Sequence, residues 1–335
     1  MKKEKGLSIV ELIITIFIVL LVLSGAYFTY TNLLKGFKKE TISIETEMEK
    51  LVGSEILRLD IEHAGYGVGM NETLFPLEWY NESNIENRKL LIRSTLNNTN
   101  NKTFGWMLFR CPDGKTPLKD VIVIDNRFDK TNNDIVLIND KKEADITSTD
   151  WDLSKRCPKE GVFIGFPIDR DLVNSLGRFD CRNQICHIIE YTLTSYNIPA
   201  DCNPYTKKLL RNRKPVLDCV ADFKIKYWLD TDLNGKIDIE STESFKDSNE
   251  DGALDSSGLF ADINSDGVIT SDELRKQLKL ITIYLLVQEG KYDPEFTFDN
   301  SLGYLEIDNI KLKLPKDYEH YRWKVLKITI KPINL

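Results

Sequence analysis

The chain opens on an apolar run that a globular core has no use for. From Leu12 to Leu34 no charged side chain interrupts the sequence for 23 residues. As a helix rising about 1.5 Å per residue this stretch is about 34 Å long, enough for one crossing of a hydrocarbon layer of roughly 30 Å. Beyond it the pattern changes. Ile42, Ile44, Met48, Leu51, Val52, Ile56 and Leu59 recur at three- and four-residue steps, and no proline occurs before Pro76, which predicts a helix with one apolar stripe. One helix from Leu7 to about Asp60, roughly 80 Å long, is therefore expected, with Gly25, Gly36 and Gly53 as its weak points.

After residue 60 the period shortens to two. "KLLIRS", "TFGWMLF", "VIVID", "DIVLI", "VFIGF", "CHIIEYTLTSY", "DFKIKYWL", "LITIYLLVQ", "YLEIDNIKLKL" and "YRWKVLKITIKP" are rich in Ile, Val, Tyr and Thr and are separated by Asn, Asp, Gly and Pro clusters, so each reads as a strand. "TLNNTNNKT" and "KTNND" read as exposed turns. A long helix followed by mainly antiparallel strands predicts an α+β fold, divided into a 7–60 helix (span about 12–34) and a 61–335 globular domain.

With 335 residues, 41% of them hydrophobic, the chain can bury a substantial core, which excludes a disordered protein. Charge does not orient the span, because Lys35, Lys38 and Lys39 after it balance Lys2, Lys3 and Lys5 before it. A secretory signal cleaved near Ser24-Gly25-Ala26 is the alternative to a retained anchor. Six cysteines, Cys111, Cys157, Cys181, Cys186, Cys202 and Cys219, all follow the span. Their even number suits disulfides in an oxidising compartment, and metal binding is the weaker reading because no Cys-x2-Cys pair occurs. Fifteen pairings are open; the most local are Cys181 with Cys186 and Cys202 with Cys219.

The formal net charge of −7 is uneven: residues 230–273 hold 13 acidic and 2 basic side chains, a local −11, which leaves +4 for the rest. This is a cation-seeking segment and not a nucleic-acid surface. "DTDLNGKIDIE", "DSNEDGALD" and "DINSDGVITSDE" share oxygen-bearing side chains at first, third and fifth places followed by glycine, the spacing that wraps a loop around Ca2+. The third copy fits a twelve-residue loop: Asp262, Asn264 and Asp266 by side chain, Val268 by its carbonyl, Thr270 directly or through water, and Glu273 as a bidentate closer. Thr270 and Glu273 also predict a capping box for "SDELRKQLK". The first copy offers Asp230, Asp232, Asn234 and Asp238, with Glu240 or Glu243 closing from a shifted register. The second offers Asp247, Asn249, Asp251 and Asp255, with Gly258 where the closing glutamate belongs. Solvated Asx turns are the alternative. No helix enters the loops, so strand-flanked loops are expected and not paired EF-hands.

"KGLSIVELIITIF" (Lys5–Phe17) resembles the cleavage and methylation signal of type IV prepilins and pseudopilins: a basic leader ending in Gly6, apolar Leu7, and a glutamate at the fifth mature position, Glu11. The resemblance implies that prepilin peptidase removes residues 1–6 at the cytoplasmic face, that the Leu7 amine is methylated, and that the rest is exported. It also implies that Glu11 pairs with the Leu7 ammonium of a neighbouring subunit and so sets the axial register of a filament. "LRLDIEHAGYGVG", "ADFKIKYWLDTDLNGK", "LKLITIYLLVQ" and "HYRWKVLKITIKPINL" resemble blocks of PilW-type minor pilins. The span lacks the proline common in major pilins, and the acidic insertion exceeds the usual PilW loop.

The implied function is a minor pilin, a structural subunit of a type IV pilus initiation or tip complex. Its partners would be other pilins, prepilin peptidase, an inner-membrane assembly platform and, before assembly, membrane lipid. The implied location is the inner membrane first and the pilus or cell surface afterwards. A pseudopilin of type II secretion is the close alternative, though its calcium-binding tip subunit typically lacks the glutamate that Glu11 preserves. A calcium-dependent adhesin using Trp79, Tyr80 or Trp151 as a contact patch is another, although burial of these aromatics is the expected outcome. No nucleophile elbow, zinc helix or phosphate loop accompanies His63, His187 or His320, so no enzyme is expected.

Overall fold

A computed structural model describes residues 9–70, 74–113, 121–123, 125–128, 134–147, 159–169, 187–249, 251–255 and 259–335. The apolar run and the amphipathic stretch form one helix, α1 (Ile9–Glu62). Its three glycines break nothing. The chain divides into two compact units, residues 1–48 and 49–335.

In the second unit α1 is followed by β1 (Leu77–Tyr80), β2 (Lys89–Ser94), β3 (Met107–Cys111), β4 (Val121–Val123), β5 (Asp134–Asn139) and β6 (Ala144–Thr147). Then come β7 (Gly161–Ile168), β8 (His187–Thr194), β9 (Lys207–Arg211), β10 (Lys214–Leu229) and β11 (Ile239–Ser241). The short helix α2 (Ser271–Gln277) precedes β12 (Leu278–Glu289), β13 (Tyr304–Ile307), β14 (Ile310–Lys313) and β15 (Arg322–Ile330). An eight-stranded sheet runs β1-β2-β8-β9-β10-β12-β15, with β11 also on β10; a five-stranded sheet runs β4-β3-β7-β5-β6; β13 and β14 form a hairpin. All of these pairings are antiparallel, so the fold is the α+β arrangement the periodicities imply.

Strand alternation builds two cores on opposite faces of the large sheet. Ile281, Ile283, Leu285 and Val287 of β12 join Leu57 and Ile61 of α1 in the main core, while Tyr284 and Leu286 turn to the other face and meet Ile310, Leu312 and Leu314. Helix and sheet approach closely at Gly53, where an added Cβ would lie 2.2 Å from the Val216 carbonyl oxygen. This glycine therefore serves packing, which explains its presence inside a helix. A buried ion pair fixes the end of α1: Arg211 Nε and Tyr191 Oη each donate to Asp60 Oδ2 at 2.6 Å.

Sequence periodicity misses β1, β6, β9 and β11, and it reads "YLEIDNIKLKL" as one strand where there are two. Asp308 and Asn309 both have positive φ, the two-residue turn that a right-twisted hairpin requires. Asn212 and Arg213 form the same kind of turn between β9 and β10.

Candidate functional site

Two regions carry the chemistry the sequence points to. The first is the start of α1. Ile9–Leu34 is long and apolar enough to cross a membrane, and none of its most apolar window is buried in the structure. Thr15, Ser24, Thr29 and Thr31 donate their hydroxyls to carbonyls three or four residues back, so these polar groups are satisfied within the helix, as lipid demands. Glu11 lies on α1 within the first described turn. Gly6 and Leu7 lie outside the described residues.

The second region is the acidic segment, whose three loops share one construction. In each, the first aspartate uses both carboxylate oxygens to accept the main-chain N–H groups of the fifth and sixth residues. Asp230 accepts from Asn234 and Gly235, each at 3.0 Å. Asp247 accepts from Asp251 at 3.2 Å and Gly252 at 2.9 Å. Asp262 accepts from Asp266 at 3.3 Å and Gly267 at 2.6 Å. The three glycines have φ of 85°, 92° and 87°, a region that side chains disfavour. Third and fifth positions pair amide with carboxylate: Asn234 with Asp232, Asn249 with Asp251 and Asn264 with Asp266.

The loops differ in how they close. Asp238, ninth in the first loop, accepts from Thr231 N at 2.9 Å and Asp232 N at 3.3 Å. Asp255, ninth in the second, accepts from Ser248 N at 2.6 Å. In the third loop the twelfth residue does this: Glu273 Oε1 accepts from Ile263 N at 2.9 Å, while its Oε2 accepts from Thr270 N at 2.8 Å and completes the expected capping box. The expected closure of the first loop by Glu240 or Glu243 is not observed. Glu240 sits on β11 and pairs with Lys226 at 2.7 Å, which leaves Asp238 to close the loop.

Apolar residues pin the segment to the main core: Phe245 and Phe260 pack on Tyr227, and Ile269 and Leu274 are buried. Leu254 and Ile269, the eighth residues of the second and third loops, are joined by a 3.1 Å bond from Leu254 N to the Ile269 carbonyl. This bond joins the two loops where each sends an apolar residue to the same core. The first loop stands between β10 and β11, flanked by strands as expected.

Among the described residues, one acidic group converges: ligand oxygens of Asp230, Asp232 and Asp238 lie within 4.8 Å of one another. The third loop, the fullest match in sequence, has its Glu273 carboxylate engaged by its own amides. One residue that sequence reasoning misses is Glu78 of β1. It is buried, ion-paired with Arg93, and accepts the Asp247 N–H at 3.1 Å, fastening the second loop to the sheet. Burial raises the Asp247 carboxyl above its ordinary value, and the nearby Glu78 charge adds to that, against the opposing N–H bonds from Gly252 and Asp251.

Cys202 and Cys219 form the expected disulfide, with Cα atoms 5.2 Å apart, and Cys111 is disulfide-bonded. Cys157, Cys181, Cys186 and Trp151 lie outside the described residues. Trp79 is fully buried and Tyr80 partly so.

A helix long and apolar enough to cross a membrane, followed by a disulfide-bearing antiparallel domain, defines an α+β protein with an N-terminal apolar helix. Residues 1–27 match the family model described as the prokaryotic N-terminal methylation motif. No curated protein matches the chain. A type IV-like pilin from Thermus thermophilus is similar in structure at a TM-score of 0.35 and 10% identity, over 86% of this chain and 97% of that one.

Proposed function

We propose that the chain is a minor pilin, a structural subunit of a type IV pilus initiation or tip complex. The observation that carries this reading is the coincidence of three features in one short segment. The methylation motif covers residues 1–27, the exposed apolar stretch Ile9–Leu34 overlaps it, and Glu11 is the one carboxylate in that stretch. An exposed apolar helix of this length needs lipid before assembly and neighbouring helices after it. Removal of residues 1–6 by prepilin peptidase would create a cation at Leu7, and in a medium of low dielectric that ammonium and a neighbour's Glu11 attract strongly. The span would hold the chain in the inner membrane until an assembly platform moves it into the fibre among other pilins. Replacing Glu11 with Gln in the host should leave the protein in the membrane and cut its recovery in sheared fibres by about tenfold or more. Undiminished recovery would overturn the pairing.

The acidic loops would stabilise the exported domain by holding Ca2+. The donors are hard oxygens, the glycine turns are formed, and a local charge of −11 needs a counter-charge. The first loop would use Asp230, Asp232, Asn234 and Asp238; the second Asp247, Asn249, Asp251 and Asp255; the third Asp262, Asn264, Asp266, Val268, Thr270 and Glu273. Calcium should raise the thermal midpoint of the full chain in detergent, and Asp232→Ala should remove part of that rise. A midpoint indifferent to calcium would contradict this reading.

A further inference from the structure

We propose that Asn234–Gly235 is a site of spontaneous covalent modification, at which loss of the Asn234 side-chain amide turns the fifth position of the first acidic loop into a carboxylate. Asn234 is exposed. Gly235 has φ of 85°, and a Cβ built on it meets nothing within 4 Å, so no side chain of its own crowds its main-chain nitrogen. The Gly235 N–H donates to Asp230 Oδ2 at 3.0 Å, a bond that opens before the nitrogen attacks. The Asn234 carboxamide is held one residue back, its Nδ2 donating to Asp232 Oδ2 at 2.7 Å.

The step balances without any co-reactant except water. In alkaline buffer hydroxide takes the Gly235 N–H proton as the nitrogen bonds to Asn234 Cγ; the Cγ–Nδ2 bond breaks, and the departing nitrogen takes a proton from water, which restores the hydroxide, and leaves as ammonia. Water then opens the cyclic imide to aspartate or isoaspartate, with no change of oxidation state. The loop tolerates the aspartate product, because Asp251 and Asp266 hold the equivalent place in the other two loops. Each accepts a main-chain N–H two residues on, as Asn234 does from Lys236 at 2.8 Å. The cost is local: Asp232 loses its amide partner and faces a second carboxylate, so the changed loop has a stronger need for a cation.

The molecule contains its own controls. Asn249 and Asn264 sit in loops of the same construction but are followed by Glu250 and Ser265, which carry side chains where Gly235 has none. The full chain in detergent, aged in mildly alkaline buffer with a chelator and then digested, should show aspartate and isoaspartate at position 234. They should accumulate about tenfold or more faster than at 249 or 264, a barrier difference of about 1.4 kcal/mol. Gly235→Ala should abolish that advantage. Conversion at Asn234 no faster than at Asn249 and Asn264, or undiminished in Gly235→Ala, would overturn the proposal.

Discussion

At the scale of single residues, the second unit is governed by a few buried charges. Burial holds the His187 imidazole down at about 4, against an ordinary 6.5; the Asp169 charge opposes this and Arg211 adds to it. Because the folded value is depressed, the contribution to stability is complete above about 6.5 and is lost as pH falls toward 4, by up to about 3 kcal/mol. Thermal unfolding across that window should fall more steeply for the native protein than for His187→Gln; parallel curves would refute the assignment. Asp60 has Arg211 and Tyr191 as its partners. Arg211→Met leaves that carboxylate buried and uncompensated, and should cost about 3–5 kcal/mol in denaturant unfolding. Neither residue is conspicuous in the sequence, since an Asp on a helix and an Arg 151 positions later are joined only by tertiary structure. The acidic spacings were legible because each loop's turn is built within one short stretch, whereas Glu78 was not, because its partners are Arg93 on the paired strand β2 and Asp247 in a loop 169 positions away.

At the scale of elements, helix α1 depends on contacts at both ends of its packed portion. Gly53→Ala would drive a methyl into the Val216 carbonyl and should destabilise the protein by about 1–3 kcal/mol, read as a lowered unfolding midpoint. At the C-terminal end, the Glu62 carbonyl accepts the Ile333 N–H at 3.0 Å, so deleting residues 333–335 should cost about 1 kcal/mol by the same measurement. The backbone bond between Leu254 and Ile269 joins the second and third loops, so on the proposed calcium reading ordering either should favour the other. A calcium titration should therefore show positive cooperativity that Leu254→Pro, which lacks the donor, removes. Periods of 3.6 and 2 revealed α1 and the long strands. They missed β9 and β11, which span only five and three residues and exist because β10 offers them a partner.

At the scale of the whole molecule, the proposed function gives one segment two environments in turn. The most apolar window of Ile9–Leu34 is unburied among the described residues, and on the proposed reading lipid covers it first and other subunits afterwards. The apolar run itself was legible from the first 34 residues, because 23 residues without a charge are long enough to cross a hydrocarbon layer as a helix. The central claim is that this N-terminus is a processed, methylated pilin end. Intact-mass and N-terminal peptide mass spectrometry of the protein recovered from its host tests it most directly. A chain beginning at N-methylated Leu7 is the predicted result, and one beginning at Met1 or near Ala26 would contradict it.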